Sequence, residues 1–84
     1  LSRSVALARN LIEHQGERNA LSIISSMESI IGEASEGRQD YVSIVDTQDL
    51  QPVASLEAGQ TVLAAVAVYF GKARLIDNAI VEVK

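Results

Sequence analysis

One uninterrupted apolar segment, VLAAVAVYF at residues 62–70, constrains the fold of this chain more than any other feature. A transmembrane helix needs about 20 consecutive apolar residues, so this segment is too short to cross a bilayer as a helix. Its valines and the nearby Gly59 and Gly71 favour a β-strand over a helix. Because polar and apolar residues do not alternate along it, the segment predicts a strand that is buried on both faces.

A two-residue turn follows this strand. Gly71 and Lys72 separate it from further apolar residues, and glycine in the first position of the turn fits a type II′ hairpin. Residues 73–76 therefore predict a second strand, antiparallel to the first.

The polar residues within the stretch FGKARLIDN (residues 70–78) need separate explanations. On a regular strand Arg74, Ile76 and Asn78 share one face, whereas Asp77 points to the other. Arg74 and Asp77 should therefore not pair directly, and each must find its own partner or face water.

The first part of the chain has the hydrophobic period of an α-helix instead. Two groups of apolar residues recur at helical spacing: Val5, Ala8, Leu11 and Ile12, then Ala20, Ile23, Ile24, Met27, Ile30, Ile31 and Ala34. Ser2 or Ser4 is a candidate N-cap for the first helix, and Asn19 for the second. Gly16 and Gly37 are the predicted C-terminal stops.

Residues 41–45, rich in β-branched side chains, predict one more strand, and residues 46–53 predict a turn. The chain as a whole is predicted to be a single α+β domain over residues 1–84. Its element order is ααβββ, with two helices packed on one face of a three-stranded, mostly antiparallel sheet.

Composition excludes several classes of function. The net charge is −4, the seven basic residues are dispersed, and there are only three aromatic residues, so the chain lacks the basic, aromatic footprint of a nucleic-acid-binding protein. The absence of cysteine excludes disulfides and thiolate metal sites. These features predict no nucleic acid, no membrane, no metal site and a cytoplasmic location.

Candidate site residues are few. His14 is the single histidine, and we expect it on the surface near a helix C-terminus, where its cation would be stabilised. Lys72 and Arg74 flank the hairpin tip and could reach a phosphate-bearing ligand. The alternative is a solvated turn with an edge-strand cation that discourages aggregation. No catalytic residue is predicted in this chain.

Three segments carry a resemblance to a known family: DYVSIVD at 40–46, LQPV at 50–53 and GKARLIDN at 71–78. Together they resemble the C-terminal domain of the pantoate–β-alanine ligases. Members typically have a DYVE-V-D strand, a leucine-centred turn and a hairpin ending in G-x-T-R-L-I-D-N. Two departures are Thr47, where proline is common, and Ala73, where threonine is common.

The resemblance implies that this chain, which starts at Leu1 without a methionine, is a piece of a larger ATP-dependent carbon–nitrogen ligase. Such an enzyme condenses pantoate and β-alanine through a pantoyl adenylate, uses ATP and Mg²⁺, and is a cytoplasmic homodimer. Its catalytic H-x-G-H and Ser-Ser-Arg-Asn segments belong to an N-terminal nucleotide-binding domain and do not occur here. The C-terminal domain would be a lid over the active site, inactive alone and binding no cofactor by itself. Lys72 and Arg74 are then the candidate cleft-facing residues.

Two alternatives remain open from the residues alone. One is a stand-alone ligand-binding or regulatory module built on a small α+β sheet. The other is a dimerisation module that uses the apolar strand at residues 62–70 as its contact surface. A concentration-independent dimer in sedimentation would favour the second, and a monomer would favour the lid.

Overall fold

The computed structural model describes residues 2–33 and 37–84. Two helices precede three strands: α1 (Ser2–Glu13), α2 (Ala20–Gly32), β1 (Gly37–Asp46), β2 (Thr61–Phe70) and β3 (Ala73–Glu82). The strands form one antiparallel sheet in the order β1-β2-β3. The predicted α+β architecture of two helices and a three-stranded sheet is confirmed.

Local backbone chemistry explains most of the helix ends. Asn19 is the N-cap of α2, as predicted, and its side-chain Oδ1 accepts a hydrogen bond from the backbone N of Ser22 at 3.2 Å. Gly16 has a φ of 67° shortly after α1 ends, the left-handed conformation of a helix stop. The prediction that Ser2 or Ser4 caps α1 is wrong, because both lie within the helix.

The second helix ends earlier than the sequence predicts. It stops at Gly32, and Gly37, the predicted stop, begins β1 instead. A Cβ atom at Gly37 would lie 2.8 Å from Cε1 of Phe70, so the glycine makes room for that ring against the strand. The predicted apolar position at Ala34 lies outside the described residues.

The hairpin forms as predicted, but its second strand is longer. Gly71 has a φ of 62° and Lys72 does not have a positive φ, the combination that a type II′ turn requires. The predicted strand of residues 73–76 in fact continues to Glu82, paired with β2 along its whole length. The prediction stopped too early because the polar pair before Ala79 interrupts the apolar pattern.

The helices cover one face of the sheet. Every second residue of β2 is fully buried beneath them: Val62, Ala64, Val66 and Val68. Ala65 and Ala67 point to the opposite face. They are buried without an element above them, so the taller side chains of the neighbouring strands must shield them. Among the described elements, β2 is therefore covered on one face and not on both.

The long connection after β1 and the last residues of the chain close one end of the core. Asp46 accepts hydrogen bonds at 2.7 Å from the Gln60 side chain and from the backbone N of Gln48. These bonds, the one from Gln60 first, hold the pKa of the Asp46 carboxyl below its ordinary value. Val83 donates its backbone N–H to the Gln60 carbonyl at 2.8 Å and is buried. Val83, next to the C-terminus, thus belongs to the core.

Candidate functional site

The two candidate residues lie at the end of the sheet where β2 turns into β3. Lys72 occupies the exposed turn itself. Arg74 is on β3, on the face that the helices leave uncovered. The register places it beside Tyr69 of β2, which in turn pairs with Arg38 of β1. Three strands therefore bring two arginines and a tyrosine into one row.

A β-bulge in β1 brings a carboxylate to Arg74. The pairing of β1 with β2 shifts between Gln39 and Tyr41, which leaves Asp40 out of register. Oδ2 of Asp40 accepts hydrogen bonds from Nη2 of Arg74 at 2.8 Å and from Nε at 3.0 Å. The hydrogen bond to Asp40 raises the pKa of the Arg74 guanidinium above its ordinary value. Arg74 is therefore a permanent cation.

Two tyrosine rings frame the same guanidinium. Cζ of Arg74 lies 5.8 Å from the ring centre of Tyr41 and 5.9 Å from that of Tyr69. Cζ of Arg38 lies 5.3 Å from the Tyr69 ring. Both arginines are within the range of favourable cation–π attraction. We call these five residues, Arg38, Asp40, Tyr41, Tyr69 and Arg74, the arginine cluster.

The arginine cluster can bind an anion or a carbonyl oxygen. It contains two guanidinium groups and one carboxylate, which pairs with Arg74, so the cluster carries an excess of positive charge. Asp40 uses only Nε and Nη2 of Arg74, and the Arg74 side chain is 41% exposed, so Nη1 can donate to a further acceptor. Carboxylate and phosphate oxygens are the acceptors that arginine binds most strongly. The cluster supplies binding and orientation rather than a nucleophile or a base.

The polar residues of β3 find separate partners, as the strand geometry predicts. Arg74 reaches across the sheet to Asp40. Asp77, on the other face, accepts a hydrogen bond through Oδ1 from the backbone N of Asn78 at 2.8 Å. Within the described residues, no hydrogen bond or ion pair joins Lys72 to the arginine cluster. The structure thus gives Arg74 a built environment and leaves Lys72 as an exposed cation at the turn.

The sequence alone could have shown part of this cluster. A two-residue turn at Gly71 and Lys72 fixes the hairpin register, and that register places Tyr69 directly opposite Arg74. The contributions of Asp40 and Arg38 could not be predicted in the same way. They depend on the register across the long β1–β2 connection and on the bulge.

Other kinds of site find little support in residues 2–33 and 37–84. His14 is exposed just after the end of α1. No group of three or more His, Cys, Asp or Glu side chains in these ranges could hold a metal ion. None of the helices described in them is long and apolar enough to span a membrane.

Comparison with known families shows a match that spans almost the whole chain. The sequence model of the family described as pantoate-beta-alanine ligase matches residues 1–80. The chain belongs to the pantoate–β-alanine ligase family. The match covers both helices and most of the sheet, so it extends well beyond the segments that suggested the resemblance.

Curated relatives give the same family. The pantothenate synthetase of Salinibacter ruber is 45% identical over 83 residues, which are 99% of this chain and 28% of the relative. That of Heliobacterium modesticaldum is 48% identical over 83 residues, again 28% of the relative. This chain therefore spans a little over a quarter of the length of these relatives.

Solved structures extend the likeness to the fold. A crystal structure of the pantothenate synthetase from Thermus thermophilus aligns with 94% of this chain and 27% of its own, with a TM-score of 0.77 and 32% identity. A second crystal structure of that protein aligns with 92% of this chain at a TM-score of 0.74. The helices and the sheet thus match one segment of a larger ligase.

Proposed function

We propose that this chain is the C-terminal domain of a longer pantothenate synthetase, hereafter the full-length ligase, and that it closes as a lid over the substrate cleft. One observation carries the proposal. Residues 1–80 match the ligase family, whereas the chain covers only 28% of a relative such as that from Salinibacter ruber. Residues 1–84 would then be a single domain whose partner is the N-terminal catalytic domain of the same protein.

The proposed reaction is an ATP-dependent carbon–nitrogen ligation in two steps. A carboxylate oxygen of pantoate attacks the α-phosphorus of ATP, and pyrophosphate leaves. The amine of β-alanine then attacks the carbonyl carbon of pantoyl adenylate, the C–O bond to AMP breaks, and the amine loses its proton. Water would compete with the amine for the adenylate, so a domain that closes the cleft protects the intermediate.

In this scheme the residues of the present chain bind and enclose rather than catalyse. The sequence contains neither H-x-G-H nor Ser-Ser-Arg-Asn, the segments that we assign to the N-terminal domain. Lys72 and Nη1 of Arg74 would face the cleft, where their charge and donors fit the phosphates of ATP. The described residues include no cluster of three or more His, Cys, Asp or Glu side chains that could hold Mg²⁺. The full-length ligase is proposed to be a cytoplasmic homodimer.

The release of AMP from ATP, pantoate and β-alanine tests the proposal. We expect the full-length ligase to release AMP only when all three substrates are present, and the 84-residue chain to release none. Turnover by the purified 84-residue chain would contradict the assignment of catalysis to the N-terminal domain. A full-length protein that folds but forms no pantothenate would overturn the ligase assignment itself.

Substitutions in the full-length ligase test the two cleft-facing residues. We expect Arg74→Ala to lower kcat/KM for ATP by about tenfold, and Lys72→Ala by less, because a contact to a charged group is worth about 1.5–3 kcal/mol. Arg3→Ala is the matched control, since Arg3 contributes only a loose, exposed ion pair to Glu33 at 3.6 Å. If both Lys72→Ala and Arg74→Ala leave kcat and KM unchanged, neither residue faces the cleft.

A further inference from the structure

The sheet has a second face that no described element covers. By strand register, one set of side chains lies on it, and we call this set the open face: Arg38, Tyr41, Ser43 and Val45 of β1, Leu63, Ala65, Ala67 and Tyr69 of β2, and Arg74, Ile76, Asn78 and Ile80 of β3. The helices pack against the alternate residues of the same strands. The open face is thus the back of a two-layer domain.

The open face exposes large apolar side chains around a floor of small ones. Tyr41 is 37% exposed, Ile76 53% and Ile80 61%. Tyr41 and Ile76 flank Ala67 in the register, and Ala67 has no exposed surface. Tall side chains on the outer strands and alanines on the central strand form a shallow trough. An exposed apolar surface of this kind is characteristic of a contact surface.

Charge differs between the two ends of this trough. The arginine cluster lies at the hairpin end. Glu82 lies beyond Ile80 at the other end, opposite Thr61. Tyrosine and arginine are side chains that protein interfaces favour, whereas lysine and glutamate are depleted there. A matching partner would present apolar side chains to the trough and a carboxylate or carbonyl oxygen to Arg38, which leaves Nη1 of Arg74 for the cleft.

We propose that the open face docks against the N-terminal domain of the full-length ligase. The inference rests on the proposed function, in which this chain is the C-terminal domain of that protein. The match covers 28% of a relative, so most of the polypeptide that could cover the face lies outside these residues. A domain on the same polypeptide is present at an effective concentration of about a millimolar, which favours it over a second copy of this chain.

Hydroxyl-radical footprinting read by mass spectrometry tests this docking. The reporters are Tyr41, Ile76 and Ile80. The matched controls are Leu21 on α2 and Leu50 in the β1–β2 connection, exposed by 74% and 64% but outside the open face. In the full-length ligase, we expect oxidation of the reporters to be at least about fivefold slower than in the 84-residue chain, because an interface core excludes solvent. The controls should change by less than about twofold.

A variant of the full-length ligase keeps the test valid even if the 84-residue chain does not fold alone. Ile76→Lys places a charge in the trough, so we expect Tyr41 and Ile80 to be oxidised about fivefold faster than in the unmodified ligase, since burying an unpaired charge is unfavourable. Leu21→Lys, the control, should leave both rates unchanged. Unchanged rates in Ile76→Lys would overturn the proposal.

The remaining outcomes are equally decisive. Reporters that are as reactive in the full-length ligase as in the separate chain would show that nothing docks there. Protection of Leu21 instead of the reporters would place the contact on the helices. Protection that grows with the concentration of the 84-residue chain and is absent from the full-length ligase would identify a second copy as the occupant. AMP release measured on the same samples separates this inference from the proposed function, because either can fail while the other stands.

Discussion

Adjacent residues of the central strand lie in opposite environments. Ala64 is buried under the two helices, whereas Ala65 points to the open face, where only its neighbours in the sheet shield it. The helix-covered face forms a layered core with Ile23 and Met27, whereas Ile76 and Ile80 on the open face remain half exposed. The first face accounts for the stability of the domain, and the second is available for contact with another surface.

The largest expected effect comes from replacing one isoleucine by alanine on each face of the sheet. Ile44 is a core residue of β1, and Ile80 is an exposed residue of β3. We expect Ile44→Ala to lower the free energy of unfolding by about 3 kcal/mol, because it leaves a cavity in a packed core. Ile80→Ala should cost less than about 1 kcal/mol. Urea unfolding of the 84-residue chain followed by circular dichroism measures both.

Equal costs for these two variants would contradict the comparison. That result would mean that something already covers Ile80 in the 84-residue chain. Repeating the measurement over a range of protein concentrations would then show whether the cover is a second copy.

A larger side chain at each of two neighbouring positions tests the same contrast between the two faces, because a packed core does not tolerate added atoms. We expect Ala64→Leu to destabilise the chain by about 1–3 kcal/mol, because the helices leave no space above a fully buried alanine. Ala65→Leu should change the stability by no more than about 0.5 kcal/mol, since its added atoms project into solvent. The two substitutions are chemically identical and differ only in the face that they alter. A large loss of stability in Ala65→Leu would show that another surface already covers the open face in the 84-residue chain.

The sequence predicted the features that depend on local rules. The cap at Asn19, the hairpin turn at Gly71 and the order of helices and strands each follow from a few neighbouring residues, and all are confirmed. The placement of Arg74 and Asp77 on opposite faces of the sheet also follows from strand geometry. The errors are the cap predicted at Ser2 or Ser4, the stop predicted at Gly37, and the C-terminal end of β3, where tertiary pairing extends a strand that the apolar pattern alone ends early.

The candidate site was predictable only in Arg74 and, through the hairpin register, in Tyr69. Arg74 stands out in the sequence as a cation in an apolar strand, but its partner Asp40 is 34 residues away in the chain. No local rule locates the bulge that aims Asp40 at it. The open face could not be predicted from the sequence either. An apolar segment predicts that a strand is buried, but it does not show which layer covers each face of that strand.

The smallest expected effect concerns two carboxylates of β1, Asp46 at its end and Asp40 at its bulge. The hydrogen bonds from Gln60 and Gln48 favour the charged form of Asp46 and lower its pKa in the folded state. Its contribution to stability is therefore fully present above about pH 4, the ordinary range of an aspartate, and is lost as the pH falls through the lower pKa of the folded chain. We expect the difference in urea midpoint between the unmodified chain and Asp46→Asn to be constant from pH 7 to about pH 5 and to shrink below about pH 4.

Salt distinguishes Asp46 from Asp40 of the arginine cluster. The two donors to Asp46 are uncharged, so the effect of Asp46→Asn should not change when the ionic strength rises to about 1 M. Asp40 faces the cation Arg74 at 2.8 Å on a partly exposed surface, and the effect of Asp40→Asn should diminish under the same conditions. Equal salt dependence of the two variants would mean that Asp46 is held by charge as well. In that case Asp46 and Asp40 would not differ in how their carboxylates are held.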